Sequence, residues 1–255
     1  MRLRHVSNMT YGNALVSASQ GPRTLSAGIF DVDGVLLASP HERAWREALG
    51  NPADEARFTT AMYQSRVAGK PRLAGALAAL QALGLAYAGP LAEVYAERKQ
   101  RRLEELIRAG AVSAFSDALR FVRAVIALGW PMAVASSSKN ANEMMKRVQL
   151  DARYTLLDVF GSNVCGRDLQ QGKPNPEIFL LAAADLPAAP RNCLVVEDAS
   201  AGIEAACAGG MTGLGVARLH DADLLWAAGA SLVVTSLDEV SIDELARGRL
   251  CRRAP

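Results

Sequence analysis

Asp31 and Asp33, in Asp31-Val32-Asp33-Gly34, are the first of four polar clusters with chemical potential; the others are Ser136-Ser137-Ser138-Lys139-Asn140, Lys173-Pro174 and Glu197-Asp198. Four carboxylates beside two lysines and a hydroxyl-rich turn suit a divalent cation together with a phosphate. Hard oxygen ligands favour Mg²⁺, which keeps several waters and shares one or two carboxylates with phosphate oxygens. A carboxylate attacking phosphorus would form an aspartyl phosphate, with the metal and Lys173 offsetting charge on the transferring group. The serine-rich turn opens a helix, and its N–H groups and hydroxyls can cradle an anion. Each cluster alone has a plainer explanation: Asp-x-Asp-Gly is common in turns, Glu-Asp before a helix can cap it, and strand-end carboxylates can simply pair with lysines. Their order and shared placement at strand ends favour a site.

That placement depends on the elements around them. Short apolar runs at 27–30, 131–135, 193–196, 212–216 and 232–234 are separated by segments of helical period. Continuous apolar strands alternating with helices indicate an α/β fold with a doubly wound parallel sheet, covered on both faces. Ligands bind such sheets outside the carboxyl ends of the strands, so three clusters converge on one crevice and Lys173 joins them from a loop. Between the first and second strands, four helical stretches near 41–49, 54–66, 72–83 and 90–109 form a small inserted cap. Leu73, Leu77, Leu80 and Leu83 make one apolar stripe of it. The expected organisation is a core of 26–38 and 114–255, a cap of 39–113, and a disordered N-terminal extension of 1–25. The extension lacks acidic residues through 30 and carries Arg2, Arg4 and Arg23, a bias shared with organelle transit peptides.

Composition narrows the classes further. In 255 residues, 50% hydrophobic and 21% charged side chains describe a globular enzyme rather than a disordered chain. A net charge of +2 gives no case for nucleic-acid binding, and no apolar run is long enough for a transmembrane helix. Cys165, Cys193, Cys207 and Cys251 show no CxxC spacing and read as reduced thiols of a cytoplasmic protein. His5, His41 and His220 do not have zinc-ligand spacing. The stretch 166–173 misses the P-loop spacing, 31–42 misplaces the EF-hand glycine, and 209–215 enters a strand rather than leaving one. No histidine lies near a nucleophile elbow.

Assembled, Phe30-Asp-Val-Asp-Gly-Val35, Ala135-Ser-Ser-Ser-Lys-Asn140, Gly172-Lys-Pro-Asn-Pro-Glu-Ile-Phe179 and Val196-Glu-Asp-Ala-Ser-Ala-Gly202 resemble the four motifs of the haloacid-dehalogenase-like hydrolase superfamily. The likeness spans 26–245 and is strongest to its β-phosphoglucomutase-like and sugar-phosphate phosphatase group, which has a Rossmann-like core and a helical cap. It implies that Asp31 is the nucleophile and Asp33 the general acid/base. It implies Mg²⁺ held by Asp31, the Asp33 carbonyl and Asp198, with Glu197 close behind or coordinating, and a phosphoryl group held by Ser136, the Ser137 amide and Lys173. Gly69-Lys-Pro-Arg72 resembles the cap loop that gives an arginine to a distal phosphate, and Ala96-Glu-Arg-Lys99 the cap helix that gives a lysine near the sugar. Ser138, Lys139 and Asn140 match the run completing the distal site, and His41-Glu-Arg-Ala-Trp45 resembles the hinge. The chain departs from the pattern at Ala38, at Ala199, in the shorter segment 39–41, and loosely across 150–173. The expected activity is Mg²⁺-dependent phosphoryl transfer on a phosphorylated sugar by a monomer. A sugar-phosphate phosphatase is the alternative, and a catalytically silent phosphate-binding protein a remote one.

Overall fold

The computed structural model describes residues 24–254. Most of the extension read at 1–25 therefore lies outside the described residues. Leu25, assigned to it from sequence, is instead buried: it packs into the main apolar core and donates its N–H to the Gly248 carbonyl at 2.9 Å.

Six strands form one parallel sheet: β1 (Ala27–Phe30), β4 (Met132–Val134), β5 (Ser162–Asn163), β6 (Cys193–Glu197), β7 (Thr212–Val216) and β8 (Leu232–Val234), in the order β5-β4-β1-β6-β7-β8. The remaining two, β2 (Leu37–Ala38) and β3 (Ser113–Ala114), pair antiparallel in a separate ribbon. Side chains alternate across a strand. Ala27 and Ile29 therefore share a face with Ala133, Cys193 and Val195, while Phe30 shares the other with Val134, Leu194 and Val196. Helices Glu177–Ala184 and Ser200–Ala208 cover the first face; Ser116–Ala127 and Ala141–Lys146 cover the second. Both faces being covered explains why the strands read as continuous apolar runs.

Register aligns the strand ends. Phe30 is opposite Val134 on one side and Val196 on the other. The ladder continues one residue further, since Asp31 donates its N–H to the Val196 carbonyl at 3.0 Å and Ala135 donates to the Phe30 carbonyl at 2.9 Å. The chains leaving β1, β4 and β6 thus emerge side by side.

Between β2 and β3 the chain is helical, with its own apolar cluster around Trp45, Phe58, Val67, Leu80, Leu83 and Tyr95. The stretch read as one helix at 54–66 is broken into Pro52–Arg57, Thr60–Met62 and a π-helical turn, Tyr63–Val67. Phe58 leaves helical geometry at ψ 83°, and the Thr59 hydroxyl caps the next turn by accepting from the Met62 N–H at 3.1 Å. The apolar stripe of Arg72–Ala82 is also shorter than read: Leu80 and Leu83 are buried and Leu77 packs against them, but Leu73, in the first turn, is half exposed. It borders a cavity instead of the cap core. No helix among the described residues is long and apolar enough to cross a membrane.

Candidate active site

A cavity of about 330 Å³ lies between the aligned strand ends and the helical insertion. Of the residues singled out from sequence, Asp31, Asp33, Ser136, Ser137, Ser138, Lys139, Asn140 and Asp198 reach it from the sheet side, and His41, Arg72 and Lys99 from the insertion. Lys173 and Glu197 lie beneath it. The Lys173 side chain, fully buried, donates to Asp31 Oδ1 at 2.6 Å and to Glu197 Oε1, and its ammonium lies 4.8 Å from the centre of the Phe179 ring.

Glu197 was included among the metal ligands from sequence; here both of its carboxylate oxygens accept hydrogen bonds. Oε1 accepts from Lys173, and Oε2 accepts from the N–H groups of Asp198 and Ala199, both at 2.9 Å. It is fully buried behind Asp31, and an added Cβ at Gly202 would overlap Oε1 at 1.8 Å. Its role is to fix Lys173 and the backbone leading into Asp198. Among the described residues, no three His, Cys, Asp or Glu side chains converge at metal-ligand spacing. Asp33 Oδ1, although buried, accepts no hydrogen bond, and lies 3.5 Å from His41 Nε2.

Gly34 explains how the two acidic motifs meet. Its φ of +83° is a left-handed conformation that glycine adopts without strain, and an added Cβ would lie 1.9 Å from Asp198 Oδ2. The turn after β1 therefore closes directly onto Asp198.

Charge at this end is strongly one-sided. Burial pushes the Asp31 carboxyl up to about 7 against the opposing pull of Lys173, and the charges of Glu197 and Asp33 add to the rise. Burial, with Glu197 and Asp31 nearby, holds Asp198 well above the usual carboxylate range. One lysine does not balance these carboxylates. Two of them, a backbone carbonyl and waters make a donor set suited to a hard divalent cation, so the residues fit Mg²⁺.

The insertion contributes basic side chains to the cavity. Lys99 is buried, donates to His41 Nδ1 at 2.9 Å and lies 4.9 Å above the Trp45 ring. Burial lowers its ammonium to about 7, Asp33 pulling it up and Arg72 down. Burial likewise lowers His41 to about 4, although Asp33 opposes the shift. A neutral imidazole accepting at Nδ1 carries its proton on Nε2, which faces Asp33 and, at 3.4 Å, the Ser138 hydroxyl. Arg72 borders the cavity from an exposed position at the start of its helix.

Within the serine-rich turn, Ser136 Oγ accepts from the Ser138 N–H at 3.2 Å and lies 3.5 Å from Asp33 Oδ2. Lys139 also lines the cavity, and its exposed ammonium pairs with Asp168 at 2.8 Å on the rim. Asn140 accepts from Gln100 of the insertion at 3.4 Å. Tyr63, Gln100 and Arg167 also line the cavity and were not singled out from sequence. Gln100 follows Lys99 directly, the one available signal; Tyr63 arrives through the π-helical turn, which no periodicity reveals.

Comparisons with known proteins give the family of the chain. The haloacid dehalogenase-like hydrolase family matches residues 26–210. A β-phosphoglucomutase of Mycobacterium bovis is 32% identical over 244 residues, covering 86% of this chain and 92% of that protein. A phosphorylated carbohydrates phosphatase of Thermotoga maritima is 30% identical over 218 residues, covering 82% and 94%. The crystal structure of an archaeal β-phosphoglucomutase from Pyrococcus superposes with a TM-score of 0.64 at 29% identity, covering 86% of this chain and 96% of that one. The chain belongs to the haloacid dehalogenase-like hydrolases.

Proposed function

We propose that the protein transfers a phosphoryl group of a phosphorylated sugar through Asp31, as a β-phosphoglucomutase-like enzyme. One observation carries this reading: a single cavity is lined by Asp31 and its acidic neighbours from the sheet side and by Arg72 and Lys99 from the insertion. With a divalent cation on the acidic side, each side can take an anionic group, as a sugar bearing phosphates at two ends requires.

In the proposed chemistry an Asp31 oxygen attacks phosphorus, and the bond from phosphorus to the sugar oxygen breaks. Asp33 donates its proton to the departing oxygen, leaving an aspartyl phosphate and a free hydroxyl. Asp33 then takes the proton of the acceptor hydroxyl as that oxygen attacks phosphorus, which restores Asp31. His41, held by Lys99, orients Asp33. Ser136, the Ser137 amide and Lys173 steady the transferring group. Asp31, Asp198 and the Asp33 carbonyl would hold Mg²⁺, whose positive charge offsets that of the phosphoryl oxygens. Ser138, Asn140, Arg72 and Lys99 would hold the far side of the substrate. The unit 39–113 acts as a cap over the core of 26–38 and 114–255, and the β2–β3 ribbon is where it pivots. Four free thiols fit a reducing compartment such as the cytoplasm.

Hydrolysis is the second reading, favoured by the similarity to the Thermotoga phosphatase and by the pairing of Lys139 with Asp168. Product analysis separates them. With Mg²⁺, β-glucose 1-phosphate and a trace of glucose 1,6-bisphosphate, a mutase yields glucose 6-phosphate faster than free phosphate. Dominant phosphate release from every sugar phosphate tried would establish the phosphatase.

A further inference from the structure

A cluster outside the cavity grips the turn that carries Asp33. Arg218, just beyond the end of β7, has a side chain only 13% exposed and does not line the cavity. Its Nε donates to the Gly34 carbonyl at 3.4 Å and its Nη2 to the Val35 carbonyl at 3.3 Å. Nη1 and Nη2 together hold both carboxylate oxygens of Asp117, at 2.7 and 3.2 Å, and Nη1 also reaches the Thr235 carbonyl at 3.5 Å. The guanidinium carbon lies 4.1 Å from the centre of the Phe115 ring. Asp117 is itself fixed, accepting from the Leu237 N–H at 2.8 Å and the Ser236 hydroxyl at 3.1 Å.

These contacts join the turn after β1 and the β2–β3 ribbon to the segment after β8. Phe115 directly follows β3 and donates its N–H to the Leu36 carbonyl at 3.1 Å, so it ties the ribbon to the segment after Asp33. Gly34 and Val35 belong to the turn whose close approach to Asp198 was described above. A planar guanidinium offers donors in several fixed directions at once, and a lysine ammonium cannot reproduce that fork. Without it, two carbonyls lose their partners and the turn is free to relax.

We propose that Arg218 is a positioning residue for the reaction proposed above: it holds the Asp33–Val35 turn, and with it the Asp33 carboxyl and carbonyl, against the base formed by Asp117 and the end of β8. It acts through the turn and not on the substrate. Its loss therefore changes turnover more than affinity.

The test uses the full chain with Arg218→Lys, which keeps the charge beside Asp117, and Arg218→Met, which removes it. Amide exchange is followed by mass spectrometry alongside kcat and KM for Mg²⁺-dependent turnover of a sugar phosphate. The amides of Leu36 and Leu37, which donate to the Val32 carbonyl at 2.9 Å, report on the turn. In both variants the peptide containing them should exchange at least tenfold faster than in the wild type while the rest of the sheet is unchanged. For Arg218→Lys, kcat should fall at least tenfold with KM within twofold. Exchange within twofold of wild type, exchange rising uniformly along the chain, or an unchanged kcat overturns the proposal. Should Arg218→Met not fold, Arg218→Lys decides alone. A wild-type protein inactive on every sugar phosphate would sink the proposed function instead, and exchange then decides by itself whether Arg218 holds the turn.

Discussion

Ser137 Oγ donates to the Gly69 carbonyl at 3.3 Å, joining the turn after β4 to the loop that leads into Arg72–Ala82. The same loop fits tightly against the core on its other sides. A Cβ added at Gly69 would lie 3.1 Å from the Ala199 Cβ, and one added at Gly172 would lie 1.9 Å from Pro71 Cγ. The loop of the insertion thus packs closely on the strand-end turns, and the fit depends on the absence of one side-chain carbon at Gly172. Closure of a cap on its core excludes water while reacting groups are aligned.

Gly172→Ala should therefore hinder closure without disturbing the local backbone, since Gly172 is not in the left-handed region. kcat/KM should fall about tenfold, roughly 1.4 kcal/mol in barrier terms. Small-angle scattering with Mg²⁺ and a planar phosphate mimic should show compaction in the wild type and less of it in the variant. Identical profiles would remove closure from the account.

Asp31→Asn keeps the size of the residue and the hydrogen bond from Lys173 but removes the anionic nucleophile. Turnover should fall by more than about a hundredfold, at least ~2.7 kcal/mol, with an unchanged circular dichroism spectrum. A variant retaining more activity than that would rule out covalent catalysis by Asp31.

Lys173 is placed to hold two buried carboxylates, Asp31 and Glu197, and removing it leaves both without their shared cation. Breaking a buried ion pair from one side costs about 3–5 kcal/mol, because the remaining charge stays desolvated. Lys173→Met should lower stability by that order in urea unfolding at neutral pH. The double variant Lys173→Met, Glu197→Gln should recover part of the loss. Equal stability of the single and double variants would show that Glu197 does not depend on Lys173.

The strand-end clusters were legible because a parallel sheet imposes a simple rule: runs that end in register deliver the following residues to one edge, as Phe30 opposite Val134 and Val196 does for Asp31, Ser136 and Glu197. The insertion obeys no such rule. Leu73 fits the helical stripe yet faces the cavity, and Tyr63 and Arg167 reach the cavity through tertiary docking that a single-element period does not encode. β5 escaped notice for another reason: two residues, Ser162 and Asn163, carry too little apolar signal to read as a strand. Lys139 shows the limit for long charged side chains, whose partner is set by whichever carboxylate folding brings near.

The Asp117 carboxyl provides a pH test of the anchoring cluster independent of activity. Burial alone would raise it, but the hydrogen bonds from Arg218, the Leu237 N–H and Ser236 outweigh burial and hold it below the usual carboxylate value. A folded-state value lower than the unfolded one means the stabilisation is complete above the unfolded value of ~3.9 and is lost as pH falls through the folded one. Asp117→Asn should be about 2 kcal/mol less stable than wild type from neutrality down to about pH 5, by the scale of hydrogen bonds to charged groups. Below about pH 4 the two should converge in denaturant unfolding. A difference that stays constant down to pH 2 would mean that Asp117 is not held as an anion.

Arg72 supplies the final prediction, because it borders the cavity from the insertion and takes no part in the cluster around Asp31. A mutase must accept a bisphosphate in either orientation, so it needs an anion site opposite the nucleophile; a phosphatase needs one anion site only. A planar guanidinium holds a phosphate through two parallel N–H donors, and no smaller residue replaces that. Arg72→Ala should suppress isomerisation of β-glucose 1-phosphate at least tenfold more than hydrolysis of a small phosphomonoester, which carries one phosphate only. Both rates are measured on the same preparation, so a folding defect lowers them together and leaves their ratio unchanged. Equal losses on both substrates would assign Arg72 no part in holding a second phosphate, and the mutase reading would give way to hydrolysis.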